Sequence, residues 1–270
     1  VIWKDYGLQQ HHFKRPRYIF VSFSGGTEET LSGLKQLLNN KGKTRGALAV
    51  VATGGALERL ARAKKLPFVR FAAGDLTPRQ SVGKMFYSLL EILNAASLVR
   101  KVPTYLKLRP IAFKALGKKL ARALKDRVVL IYTSERLRHV GYIWKVRLNE
   151  TAKIFVFNNA LPEMNHTEIS GFETSPKEKK IKAAALFLHN NGMNARLQKK
   201  FRITQRLLKE QGVTVIPLVV TGRTILERTW TSAMLADWTS YFLARSNGIG
   251  RTELELPSPA IVTKLKKLMK

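Results

Sequence analysis

The sequence predicts an α/β protein made of two parallel-sheet halves with helices on both faces, and three observations predict it. Short apolar runs alternate along the chain with longer amphipathic segments, so the hydrophobic period switches between strand and helix. Several of the runs end on turns rich in glycine and hydroxyl residues, the usual exit from a strand into a crossover helix. The alternation occurs twice, once on each side of a basic stretch near residue 114. A strand, a helix and a second strand in succession pair most simply as a parallel unit, which must be covered on both faces.

In the first half, residues 18–24 (YIFVSFS) form a strand and 27–39 (TEETLSGLKQLLN) a helix. Residues 47–52 are a second strand that closes on Thr53-Gly54-Gly55, followed by a helix at 56–65, a strand at 68–71 and a long helix at 79–98. Residues 102–124 are basic and mostly helical in pattern, interrupted by Pro103 and Pro110, and read as a connector.

The second half opens with a strand at 128–134 (VVLIYTS) and a helix at 137–148, then strands at 154–157 and 181–188 (IKAAALFL). A helix at 195–211, a strand at 213–220, a helix at 225–246 and a last helix from about residue 259 complete it. The expected boundary is Lys125-Asp126, giving domains 1–125 and 126–270.

Composition narrows the function. A chain of 270 residues, 45% of them hydrophobic, can bury a sizeable core. Cysteine is absent, which excludes a disulfide framework, a thiol nucleophile and a cysteine-ligated metal, and fits a cytoplasmic location. No apolar stretch approaches the roughly 20 residues that span a bilayer, and the start lacks the order of a signal peptide, so a soluble protein with no membrane partner is expected. Lys+Arg 48 against Asp+Glu 18 gives +30, a field that attracts polyanions and steers small phosphorylated substrates. The basic stretches at 114–127, 177–182 and 264–270 lie far apart, and the first and last interleave with apolar residues at helical spacing. They read as solvated helix faces, and without a finger or RNP motif no specific nucleic-acid partner is expected.

Residues 21–30, VSFSGGTEET, carry the clearest chemistry. Ser22, Ser24 and Thr27 offer hydroxyls, Gly25 and Gly26 let backbone N–H groups approach a ligand, and the helix that follows adds the positive end of its dipole. An ordinary N-cap and turn has the same composition. There is no GxxxxGK[ST] run and no Lys after the glycines, which favours a small phosphate ester over a nucleoside triphosphate. Ligands of open parallel sheets bind beyond the carboxyl ends of the strands, where this turn, Thr53-Gly54-Gly55 and Ser134 all fall, so a cleft between the halves is the expected site.

With these residues placed, the chain resembles the bifunctional phosphoglucose/phosphomannose isomerase family, built from two sugar isomerase (SIS) domains. VSFSGGTEET resembles the family's VSYSGNTEET, Thr53-Gly54-Gly55 with Leu57 its TGG-x-L, and Pro78-Arg79 its PR pair. Residues 149–153 (NETAK) resemble NENAK, residues 165–169 (NHTEI) resemble NHNEI, and Leu265-Lys266 resembles the terminal LK pair. Gly26, Thr151 and Thr167 each stand where the family pattern has Asn. The family's opening strand and GMGGSG-type loop have no counterpart, since residues 1–16 resemble the stretch that follows them; the first SIS domain is expected to be incomplete.

The resemblance implies two flavodoxin-like SIS sandwiches, and isomerisation of glucose 6-phosphate, and of mannose 6-phosphate, to fructose 6-phosphate by ring opening and a cis-enediolate proton transfer. Ser22, Ser24, Gly25, Gly26 and Thr27 would hold the phosphate. Glu150 would be the base that moves the proton between C2 and C1, and His166 would exchange a proton with the ring oxygen and O1. Arg79 would stabilise the enediolate, and Lys266 would assist ring opening, with Lys264 and Lys267 as near alternatives. No metal or cofactor is required. The resemblance further implies a homodimer with shared active sites, His166 coming from the partner subunit. Helices 79–98 and 225–243 are the expected interface elements. His11, His12, His139 and His189 match no motif. The alternatives are a phosphosugar-binding SIS protein without catalysis and a nucleic-acid-associated protein.

Overall fold

The computed structural model describes residues 2–9, 13–14, 16–39, 48–95, 109–173, 182–250 and 260–268, the side chain of Lys266 excepted. The chain divides into two compact units, Val1–Pro103 with Glu255–Lys270, and Thr104–Leu254.

The first unit holds three parallel strands, β1 (Tyr18–Val21), β2 (Leu48–Ala52) and β3 (Phe68–Arg70), in the order β1-β2-β3. Helices α1 (Glu28–Asn39) and α2 (Gly55–Ala63) set Leu34, Leu37, Leu57 and Ala61 against Phe20, Val50 and Ala52. Val51 alternates to the other side of the sheet and is fully buried as well. α3 (Val82–Ile92) packs against β2 and β3. It is shorter than the 79–98 expected, whose last residues, 96–98, lie outside the described residues. The start of the segment is taken by a turn in which Gln80 and Ser81 N–H donate to the Thr77 carbonyl.

In the second unit β4 (Val128–Ser134), β5 (Val156–Leu161), β6 (Ala183–His189) and β7 (Thr214–Val219) form a parallel sheet in the order β5-β4-β6-β7. The central strands read as unbroken apolar runs because both faces are covered. On one face α4 (Lys114–Leu124), α5 (Arg138–Arg147) and α7 (Ile225–Ser246) bring Leu120, Leu124, Trp144 and Leu243 onto Val129, Ile131 and Leu186. On the other, α6 (Ala195–Glu210) packs Phe201 and Leu208 against Tyr132 and Phe187. Two polar links tie α5 to α7: Trp144 Nε1 donates to Ser232 Oγ at 2.8 Å, and Arg147 Nε lies 2.6 Å from Asp237 Oδ1. A last helix, α8 (Ala260–Leu268), belongs with the first unit.

Two expectations change here. α4 is expected in the first half, ahead of a boundary at Lys125-Asp126, yet its apolar stripe is built into the core of the second unit. A Cβ on Gly117 would lie 2.6 Å from that of Trp238 in α7, so only glycine permits this approach. β5 runs to Leu161, beyond the expected 154–157, because Asn158 and Asn159 continue the ladder beside Ile131 and Tyr132. Their polarity hid the strand. No helix of the described residues is long and apolar enough to cross a membrane.

His189 ends β6 with its ring stacked on Phe201 at 6.4 Å and with Nδ1 buried, lacking a hydrogen-bond partner among the described residues. Burial lowers its pKa below the ordinary histidine value. Below pH ~6.5 the unfolded chain then binds the proton more readily than the folded one, so stability falls as pH drops through that value. Urea midpoints are expected to fall more steeply between pH 7.5 and 5 for the natural protein than for His189→Gln; equal slopes would refute this.

Candidate active site

Ser22 directly follows β1, and its hydroxyl is bound inside the turn. Ser22 Oγ lies 2.7 Å from Thr27 Oγ1 and accepts the Gly25 N–H at 3.1 Å, while Ser24 Oγ accepts the Gly26 N–H at 3.2 Å. Ser22 is buried; Ser24, Gly26 and Thr27 face outward. The two glycines differ in their surroundings. Gly25 is buried at φ +67°, and a Cβ there would lie 1.8 Å from the Gly54 carbonyl, so this glycine lets two turns pack together. Gly26 has ordinary space around it, its would-be Cβ 3.7 Å from Ser24 Oγ, and an Asn as in the family pattern would fit.

The second turn is fastened to the first. Thr53 N–H and Oγ1 both donate to the Phe23 carbonyl, at 3.0 and 2.7 Å, and Leu57 N–H donates to the Gly25 carbonyl at 2.8 Å. Beside these turns opens a cavity of about 790 Å³, walled by Phe23, Thr53, Arg70 and the loop 71–77. Its rim is held by Lys84 Nζ on the Ala72 carbonyl and by Gln80 Oε1, which accepts from Thr77 N–H and Oγ1. Arg79 follows in the same loop and is only 8% exposed. Arg70 lines this cavity and was not among the candidate residues of the sequence reading. Its place as the last residue of β3, at the carboxyl edge, is the signal that could have found it.

Glu150 and His166 lie in the second unit, on opposite sides of β5. Glu150 is half-buried in a π-turn, Leu148–Ala152, that extends α5. Its neighbours are bound: Asn149 Oδ1 accepts the Val156 N–H at 3.1 Å, Lys153 Nζ reaches the Glu150 carbonyl at 2.7 Å, and Asn247 Nδ2 reaches the Ala152 carbonyl at 3.1 Å. The carboxylate itself takes no part in these bonds.

The NHTEI stretch behaves alike. Asn165 Nδ2 donates to Thr204 Oγ1 in α6 at 2.7 Å, and Glu168 accepts from Tyr132 Oη at 3.1 Å and from Asn159 Nδ2 at 2.6 Å. His166, between these anchors, is exposed. Burial, and then the charge of Glu168, push the Tyr132 phenol well above its ordinary value, so it stays a hydrogen-bond donor. Glu168→Ala would strand that buried hydroxyl. A loss of about 1–3 kcal/mol is expected in urea unfolding, and an unchanged midpoint would refute it.

β5 has six residues, so Glu150 and His166 sit at opposite edges of one sheet, separated by about 20 Å of strand. One chain does not bring them together. Lys266 falls within α8, but its side chain lies outside the described residues.

Parallel sheets covered on both faces, with a hydroxyl-rich turn and a cavity at a carboxyl edge, place this chain among the ligand-binding α/β proteins. Residues 113–268 match the family model of the bacterial phospho-glucose isomerase C-terminal SIS domain, and the chain belongs to that family. It is 29% identical over 246 residues to the bifunctional phosphoglucose/phosphomannose isomerase of Aquifex aeolicus, covering 91% of this chain and 75% of that one. The protein of the same description from Thermoplasma acidophilum is 24% identical over 257 residues, covering 91% and 75%. Among solved structures, glucosamine-6-phosphate deaminase from Thermotoga maritima superposes with a TM-score of 0.63 at 16% identity, covering 90% of this chain and 74% of that one. A glucose-6-phosphate isomerase like protein from Thermus thermophilus gives 0.58 at 16% identity, covering 90% and 87%. At such identities the structures speak for the fold.

Proposed function

We propose that this chain is an aldose–ketose isomerase that interconverts glucose 6-phosphate and mannose 6-phosphate with fructose 6-phosphate. The observation that carries this reading is the shared construction of the two motifs. In NETAK and in NHTEI the flanking residues are spent on anchoring, and their hydrogen bonds leave one acid, Glu150, and one imidazole, His166, presented by rigid turns. An anchored carboxylate can take the C2 proton and return it to C1, while an imidazole can donate to the ring oxygen as the pyranose opens and recover the proton on closure. Arg79 supplies fixed positive charge to the enediolate, and Lys266 assists ring opening. Proton transfer of this kind needs no metal and no cofactor.

Because β5 separates Glu150 from His166, the reading includes a homodimer in which each site takes His166 from the partner subunit. It also includes two SIS domains, the first incomplete, with phosphate held at the turn 22–27, and a soluble cytoplasmic enzyme with no membrane or specific nucleic-acid partner.

A coupled assay on the purified chain, with fructose 6-phosphate offered in the presence of EDTA, tests the proposal. Turnover to glucose 6-phosphate is the expected result, and none at micromolar enzyme would sink it. One observation favours the non-catalytic alternative: the Gly25 and Gly26 N–H groups are already bound by serine hydroxyls, so the cradle must rearrange or use the hydroxyls alone. Hexose 6-phosphate binding without isomerisation would establish that alternative.

A further inference from the structure

The turn at 22–27 lacks a positive charge of its own. It contains no Lys or Arg, its two glycine N–H groups are bound to Ser22 and Ser24, and α1 opens on Glu28 and Glu29. Acidic residues in a first turn interact well with the helix dipole, but they oppose a second anion placed at the same end. A phosphate monoester carries close to two negative charges at neutral pH, so a cation brought from elsewhere would strengthen its binding there.

Arg70 is the one cationic side chain among the residues that wall the neighbouring cavity. It ends β3, opposite Ala52 in the ladder, yet its side chain folds back over β2, with Nε donating to the Thr53 carbonyl at 3.0 Å. Thr53 N–H is itself bound to the Phe23 carbonyl, and Phe23, which belongs to the hydroxyl turn, lines the same cavity as Arg70. Holding Nε in place leaves the two terminal nitrogens, which have no partner among the described residues, as a fork facing open space, with the side chain 64% exposed. Glu58 binds Arg62 through Oε1 at 2.7 Å and forms a looser ion pair through Oε2, 4.0 Å from Arg70 Nε, on the tethered edge of the guanidinium. A planar fork with one edge tethered and the other free suits bidentate binding of two phosphate oxygens.

We propose that Arg70 is the cationic anchor of the phosphate group, binding it jointly with the Ser24 and Thr27 hydroxyls. The inference rests on the hexose 6-phosphate reading and adds the residue that selects a phosphorylated over a neutral sugar. Arg79, only 8% exposed, keeps its proposed place at the sugar end of the substrate.

Calorimetric titration of the full chain with inorganic phosphate and with fructose 6-phosphate tests it, together with KM and kcat wherever turnover is present. Arg70→Gln is expected to weaken both ligands about tenfold to a hundredfold, raising KM by the same factor while kcat stays within about twofold. Arg70→Lys is expected to fall between, because it keeps the charge but loses the fork. A purely structural role, acting through the Thr53 carbonyl, would damage the Gln and Lys variants equally, and that result overturns the proposal. So does unchanged phosphate affinity in Arg70→Gln, or the absence of any phosphate binding by the natural chain. Arg70-dependent binding without turnover would keep this inference and remove the isomerase reading; turnover indifferent to Arg70 would do the reverse.

Discussion

Glu150→Gln is expected to lower turnover of fructose 6-phosphate by about 10²- to 10⁴-fold and to leave KM within a few-fold, because under the proposed function it removes a proton acceptor while preserving the shape of the side chain. The fold around it should not change. The turn is held by Asn149 on the Val156 N–H, by Asn247 on the Ala152 carbonyl and by Lys153 on a backbone oxygen, none of which involves the Glu150 carboxylate. Thermal melting of the variant should therefore match that of the natural chain. Two measurements decide the role: steady-state isomerisation, and deuterium uptake from solvent at C2 followed by NMR. Undiminished exchange in Glu150→Gln would remove Glu150 as the base, whatever the overall rate.

Gly25→Ala is expected to cost about 2–5 kcal/mol and to abolish phosphate binding. Part of the cost is conformational, since φ of +67° lies in the left-handed region where an L side chain loses roughly 1–2 kcal/mol. The remainder is steric, roughly 1–3 kcal/mol for overpacking. The new methyl would sit 1.8 Å from the Gly54 carbonyl and 2.8 Å from its carbon, and both are backbone atoms that no rotamer change can move aside. Relief requires the turns 22–27 and 53–55 to separate, which breaks the bonds from Thr53 N–H to Phe23 and from Leu57 N–H to Gly25. Amide exchange in β1, β2 and the start of α2 should accelerate. Gly26→Ala is the matched comparison: with a nearest contact of 3.7 Å and no positive φ, it should move stability by less than about 0.5 kcal/mol. Similar losses in the two variants would show that the turns are not locked through Gly25.

Much of the fold was legible in the residues, for physical reasons. β4 and β6 are apolar over most of their length because helices cover both faces, and a run such as VVLIY has no other comfortable environment. β5 was harder to read, since an edge strand pairs on one side only and tolerates the exposed Phe155 just before it and the exposed Phe157 and two asparagines within it. α4 reads correctly as amphipathic but falls in the other half. Amphipathicity says that a face must be buried and not against what; the contact of Gly117 with Trp238 joins residues 121 positions apart in the chain.

The candidate site divides in the same way. Sequence by itself offered candidates for the chemistry: a hydroxyl-rich turn after a strand, a chain free of cysteine chemistry and, through the family resemblance, a carboxylate in NETAK and an imidazole in NHTEI. Residue type and short motifs carry such candidates. Tertiary structure alone decided what each residue is occupied with. It made Gly25 a packing requirement between two turns, bound Asn165 and Glu168 to α6 and β4, and joined Arg70 to the Thr53 carbonyl at the cavity wall. It also set Glu150 and His166 at opposite edges of one sheet. Hydrogen-bond occupancy and three-dimensional proximity depend on residues distant in the chain, and no local pattern encodes them.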